Sequence, residues 1–211
     1  MYYAIIGDIR NSRKLTNRAE IQNQLIQTIQ KINQKYHTSI EKDMAIMQGD
    51  DFQVLLNKPD HIFMIMHEIM MGIPEIDIRF GIGIGDLAFN YNDGSSDGKV
   101  WWHARDALDI LKKNQKYHVL MMIHGQDKTI SKLCNQLLIN NAIIHDQWTK
   151  SQKRFIYQMI YNFGLSDKMI QKEVAKTLGY SNSTISEKLS STHYYAYIKN
   201  IEVIMETIEE G

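Results

Sequence analysis

Residues 44–56 read MAIMQGDDFQVLL. Two apolar runs, 44–47 and 52–56, flank Gln48-Gly49-Asp50-Asp51, and apolar runs on either side of a Gly-Asp turn predict a β-hairpin. Upstream, Ile21, Leu25, Ile29, Ile32 and Tyr36 form the apolar stripe of a helix that Asn17 and Glu20 open in the manner of a capping box. Before that helix, residues 2–6 (YYAII) are a short apolar run closed by Gly7-Asp8, which reads as a buried strand. Downstream, Ile62, Met66 and Ile69 repeat at helical spacing. Residues 76–84 then read as a strand around Arg79, Gly81 and Gly83, whose glycines mark the close approach of a backbone or a ligand. Residues 86–98, rich in Gly, Ser, Asn and Asp, read as a long loop. Trp101, Ala104, Leu108 and Leu111 stripe a helix ending near Asn114, and residues 119–123 form a last strand.

This order, β-α-β-β-α-β-α-β, opens with βαββαβ. It predicts an α+β fold, a ferredoxin-like antiparallel sheet with helices on one face, followed by an all-α part. After residue 125 helical spacing takes over. The expected division is a sheet domain at 1–125, a connecting segment at 126–147 with a helix over 130–138, and a helical domain at 148–211.

Bulk properties narrow the function classes. Lys and Arg together number 24, as do Asp and Glu, so any case for nucleic acid must be local. The single cysteine, Cys134, excludes a disulfide framework, fits a reducing cytoplasm and reads as a core residue. The opening MYYAIIGDIR lacks the basic and long apolar regions of a signal peptide, and no run has the length of a membrane span. Two prolines and no low-complexity tract predict a chain folded throughout.

Three segments bring carboxylates or phosphate-friendly backbone to strand ends: Gly7-Asp8-Ile9 with its polar loop, Gly49-Asp50-Asp51-Phe52 at the hairpin, and Arg79 to Asp86, reading RFGIGIGD. If the first strand lies centrally beside the hairpin, Asp8 comes close to Asp50 and Asp51. Clustered carboxylates repel unless cations sit between them, and hard cations such as Mg²⁺ take oxygen ligands. Asp8, Asp50 and Asp51 are therefore candidate metal ligands. Asp50 and Asp51, with Arg105, are candidate catalytic residues. The loop of Ile9, Arg10, Asn11, Ser12 and Arg13, running into a helix, is a candidate phosphate cradle. Taken singly, each has a plainer reading: Asp50 as a turn residue, Asp8 as a loop cap, Arg105 as part of a solvated face with Asp106 and Asp109. Their order within one βαββαβ pattern is what points to a site. Trp101 reads as core, His103 as structural rather than a metal ligand, and Trp102 as a candidate base-stacking or partner surface.

The hairpin Gly49-Asp50-Asp51-Phe52 resembles that of GGDEF diguanylate cyclases and the Gly-Asp hairpin of class III nucleotidyl cyclases. Gly7-Asp8-Ile9 is similar to their first-strand metal aspartate. Residues 79–85 (RFGIGIG) resemble the following class III strand, and residues 100–108 (VWWHARDAL) the next helix. The resemblance implies a palm domain holding Mg²⁺ and a nucleotide, with Asp8 and Asp50 on metal positions and Arg105 on the transition-state arginine. The chain departs from it at Trp101, where those enzymes carry asparagine, and at Ile46, where adenylyl cyclases carry the adenine-reading lysine. The whole assembly resembles the SatD family.

In the second half, residues 171–190 read QKEVAKTLGYSNSTISEKLS. Val174, Ala175 and Leu178 share a helical face, Gly179 suits a turn that needs positive φ, and Ser181 can cap a second helix whose Ile185 and Leu189 face inward. This resembles a bacterial helix-turn-helix. Ser181, Asn182, Ser183, Thr184, Ser186 and Lys188 are its candidate DNA-binding residues. Residues 148–200 carry eight basic residues against three acidic ones, a net of +5. The closing helix, striped by Tyr197, Ile201, Ile204 and Ile208, either packs on this motif or makes the seam of a homodimer. Together these features predict a DNA-binding transcriptional regulator with a Mg²⁺- and nucleotide-binding sensor domain. An active nucleotidyl cyclase or nucleotidyltransferase with an accessory DNA-binding part, and an inert protein-binding scaffold, are the competing readings.

Overall fold

Strand β1 (Tyr2–Ile9) runs through the centre of the molecule, buried on both faces from Tyr3 onward. The computed structural model describes residues 1–47, 50–91, 96–113, 121–125 and 127–210, apart from the side chain of Arg13. After β1 come α1 (Arg18–Lys35), β2 (Ile40–Ile46), β3 (Phe52–Leu56), α2 (Ile62–Gly72), β4 (Ile78–Gly85), β5 (Leu87–Asn90), β6 (Ser96–Gly98), α3 (Lys99–Lys113) and β7 (Met121–His124). The remainder is helical: α4 (Lys128–Asp146), α5 (Lys150–Phe163), α6 (Gln171–Leu178), α7 (Asn182–Ser191) and α8 (Tyr194–Glu210). No helix among the described residues is long and apolar enough to cross a membrane.

The main sheet has the order β2-β3-β1-β4-β7. The first four strands are antiparallel, but β7 joins β4 in parallel, so the sheet is mixed rather than wholly antiparallel. The reason is the crossover: α3 carries the chain back along the sheet before β7 begins. The helices also cover both faces. Tyr3, Ile5 and Ile9 pack in the large core with α1 and α2, while Ala4 and Ile6 pack with Val100, Trp101, Ala104 and Leu108 of α3. The one-faced arrangement expected from the βαββαβ pattern is thus corrected by α3.

The strand glycines explain how α3 comes so close. A Cβ on Gly81 would lie 2.1 Å from the Ala104 carbonyl oxygen, and one on Gly83 would lie 2.0 Å from that of Val100. The neighbour that these glycines admit is therefore a helix backbone. Residues 86–98 are not all loop: β5 and β6 form a small antiparallel sheet. Gly49, Asn114 and residues 119–120, which the sequence assigns to a turn, a helix end and a strand, lie outside the described residues.

The second half shares the core of the first. Trp148, Phe155, Ile160, Tyr197 and Ile201 belong to the same buried cluster as Ile5, Phe52 and Phe80. Helix α2 is the joint, since it packs against α1 and also against α5. It carries two buried polar residues. Glu68 accepts hydrogen bonds from Lys35 and Tyr36. The Nδ1–H of His67 donates to the Phe63 carbonyl, so Nε2 is the acceptor for the Tyr197 hydroxyl of α8 at 2.9 Å. Helix α4 is longer than the expected 130–138: Asp127 caps its start by accepting from the Thr129 and Ile130 amides, and the helix continues to Asp146. Cys134 is buried in the core. The α8 stripe of Tyr197, Ile201, Ile204 and Ile208 is buried within the chain, which leaves it no free surface for a dimer seam.

Candidate functional site

The alternation of β1 sends Ala4, Ile6 and Asp8 toward α3. Gly7, on the other phase, makes room for a ring: its Cβ would lie 2.2 Å from the tip of Phe52. Gly7 pairs with Phe52 across the β1–β3 ladder, so the strand end carrying Asp8 lies beside the start of β3. Phe52 packs with α1 and α2, and period-two alternation then turns Asp51 to the α3 side with Asp8. Asp51 lines an open cleft of about 510 Å³ with Gln53, Arg105, Asp109 and Lys112. Arg105, Asp109 and Lys112 follow one another at helical spacing along α3.

Burial pushes the Asp51 carboxyl above its ordinary range. Lys112 opposes that rise, Asp8 and Asp50 add to it, and Arg105 again opposes it. The three expected carboxylates are therefore electrostatic neighbours, but they do not converge. Asp50 instead lines a small cavity on the α1 side with Ile9, Ser12 and Arg18.

Asp8 is 5% exposed and fully engaged. Arg79 lies directly opposite it in the β1–β4 ladder. The Arg79 Nε donates to Asp8 Oδ1 at 2.9 Å and its Nη2 to Oδ2 at 2.6 Å, while Lys112 Nζ lies 3.3 Å from Oδ2. Among the described residues there is no group of three or more His, Cys, Asp or Glu side chains able to hold a metal ion. The donor set expected for Mg²⁺ does not fit: one carboxylate is paired with two protein cations and a second faces the other side of the sheet. Arg79 and Lys112 are the residues that the sequence reading left without a role. The available signals were a cation at the mouth of an apolar strand and the 105–109–112 spacing.

The loop after β1 is also rearranged. Ile9 closes β1 and is buried, and the Arg10 amide donates to the Asp77 carbonyl at 2.9 Å. Asn11 takes a left-handed conformation (φ 56°) ahead of a single 3-10 turn at Ser12–Lys14, and α1 begins only at Arg18. The loop thus does not run directly into a helix N-terminus. The side chain of Arg13 lies outside the described residues. On α3, Trp101 is buried, exposed Trp102 donates to Asp97, and the His103 Nδ1–H donates to the Ile84 carbonyl.

The second constellation lies on α6 and α7. Val174 and Ala175 are buried, Leu178 is half-buried, and Gly179 takes φ 72° at the turn. The Ser181 hydroxyl caps α7 by accepting from the Thr184 amide, and it also contacts the hydroxyls of Ser183 and Thr184. Ile185 and Leu189 are buried, while Asn182, Ser183, Ser186 and Glu187 are exposed. Lys188 turns away from that exposed face. Its ammonium lies 5.4 Å from the centre of the Phe155 ring and 5.2 Å from that of Tyr180.

Comparison with known proteins adds three findings. No curated protein matches the chain. Among solved structures, that of a bacterial light-regulated adenylyl cyclase matches with a TM-score of 0.40 at 14% identity, covering 70% of this chain and 80% of that one. The model of the SatD family matches residues 2–208, almost the whole length, and the chain belongs to that family.

Proposed function

We propose that this protein is a DNA-binding transcriptional regulator, in which α6 and α7 act as a helix-turn-helix and the sheet domain, ferredoxin-like in its first four strands, acts as a ligand sensor. The single observation carrying this reading is the face of α7. Asn182, Ser183 and Ser186 stand exposed on a helix whose inner side is held by Ile185 and Leu189 and whose first turn is capped by Ser181. Short polar side chains on a rigid helix suit base-edge and phosphate contacts. The basic excess of residues 148–200 supplies the salt-dependent part of the affinity.

The ligand of the sensor is a nucleotide or a similar anion, received in the cleft where Arg105 and Lys112 face Asp51. Regulation works by linkage: the ligand must favour one arrangement of α2 over another, and α2, which packs on α5, carries that preference to α8 through His67 and Tyr197. The presence of Asp51 and Arg105 in one cleft favours a second reading, a nucleotidyl cyclase or nucleotidyltransferase. The full engagement of Asp8 and the burial of Trp101 count against it.

The test is fluorescence anisotropy with duplexes selected from a random library, across a salt series. The regulator reading predicts a selected sequence bound at least about a hundredfold more tightly than random duplex, with affinity falling as salt rises. Absence of any binding at low salt rejects it. A cyclic or pyrophosphate product from a nucleoside triphosphate moves the assignment to the enzyme.

A further inference from the structure

We propose that Arg79 and Lys112 occupy the place that a divalent cation takes in a palm-type carboxylate site, so that the Asp8 end of the sheet is a metal-independent charge cluster. The inference concerns only the sensor half of the reading above and stands whether or not α7 binds DNA.

Three observations carry it. First, the cations are built into the fold. Arg79 is the ladder partner of Asp8, so strand register fixes its backbone opposite the carboxylate. Second, the pairing uses the whole carboxylate. The guanidinium fork takes both oxygens, and Lys112 adds a second positive charge at Oδ2. Bidentate charge-assisted pairs of this kind are among the strongest side-chain contacts. Two unit charges on Asp8 equal the charge of one Mg²⁺. Third, the other two carboxylates do not complete a ligand set: Asp51 faces the cleft with Lys112 and Arg105, and Asp50 lies on the α1 side.

The consequence for ligand binding is direct. An anion entering the cleft meets the Lys112 ammonium and the Arg105 guanidinium themselves, with no bridging metal. Lys112 is the group such a ligand would draw away from Asp8.

The sign of one substitution separates the two arrangements. In an empty metal site, carboxylates repel, so Asp8→Asn relieves strain and stabilises the metal-free protein. In an ion-pair cluster, the same change leaves two cations without their partner. In EDTA at neutral pH, the full-length Asp8→Asn variant is expected to melt about 5 °C or more below the wild type. Titration with Mn²⁺ alone, followed by electron paramagnetic resonance, is expected to detect no submillimolar site in the wild type. Lys112→Met removes one of the two positive charges at Asp8 Oδ2 and leaves the Arg79 fork in place, so whatever weak Mn²⁺ binding the wild type shows should tighten about tenfold or more. An unchanged or higher melting temperature for Asp8→Asn overturns the proposal. So does a submillimolar Mn²⁺ site in the wild type, and that measurement decides alone if Asp8→Asn fails to fold.

Discussion

Arg79 faces Asp8 across the β1–β4 ladder and grips both oxygens of its carboxylate, with Nη2 to Oδ2 at 2.6 Å. The contact ties the two central strands at the end where β3 also begins. It depends on a planar fork, which lysine lacks. Arg79→Lys should therefore cost about 1–3 kcal/mol despite keeping the charge. Urea unfolding measures this, and an unchanged midpoint would show that the ammonium of a lysine suffices.

The seating of α3 on β4 gives a second prediction. Gly83 has no room for a side chain, because a Cβ would overlap the Val100 carbonyl and come 2.4 Å from the Ala104 amide. Both atoms are backbone, so the helix must move as a unit. Gly83→Ala should destabilise by about 2–4 kcal/mol, more than a surface substitution of the same type. A variant that unfolds at the wild-type urea concentration would mean that α3 shifts freely.

Two buried histidines set the response to acid. Burial lowers the pKa of His67 to about 4 and, with help from Lys153 and His67, that of His145 to about 3. Both imidazoles are neutral in the fold, whereas in the unfolded chain they protonate below the ordinary value of 6.5. Stability from this source is therefore full above that value and is lost as pH falls through the window down to about 4. Each histidine contributes a slope of about 1.4 kcal/mol per pH unit there. Urea midpoints recorded from pH 7 to pH 4 should fall accordingly. A flat profile between pH 6.5 and 5 would contradict the burial of both rings.

The same histidines bear on hydration. His145 Nε2 meets the Tyr157 hydroxyl at 2.9 Å, while its buried Nδ1 has no hydrogen-bond partner. The ring borders a cavity of about 20 Å³ shared with Asn141 and Tyr197, enough for one water molecule. A high-resolution crystal structure should contain one ordered water hydrogen-bonded to His145 Nδ1. Density for a dry cavity at a resolution that shows other buried waters would refute this.

On α7 the candidate residues should separate by role. Asn182→Ala with Ser186→Ala should weaken binding to a selected duplex about tenfold or more while leaving random-duplex affinity nearly unchanged. Lys188→Ala, whose charge rests against Phe155 and Tyr180, should leave the salt slope unaltered and lower stability slightly. A salt slope reduced by about one unit in Lys188→Ala would instead identify Lys188 as a phosphate contact.

Much of the secondary structure was legible because it follows from period and punctuation. The stripe from Ile21 to Ile32 is the buried face of α1, Gly179 does adopt positive φ, and Ser181 does cap α7. The short strands β5 and β6 were hidden in a polar segment whose composition resembles a loop. The site was less legible. Local sequence locates carboxylates at strand ends, but it does not say which side of the sheet each faces. Asp50 and Asp51 are adjacent in sequence, yet Asp50 lines the cavity on the α1 side and Asp51 the cleft beside α3.

By itself, the sequence determined where the helices and the strands of the main sheet lie, since apolar period, glycine and cap residues act over a few positions. It also located Asp8, Asp50 and Asp51 next to strand ends. Only the tertiary structure decided what neutralises them. Arg79 lies 71 residues from Asp8 along the chain, and Lys112 is further still. Their meeting depends on strand register and on how closely two glycines let α3 approach the sheet. Those are properties of packing between distant segments, which no local pattern encodes.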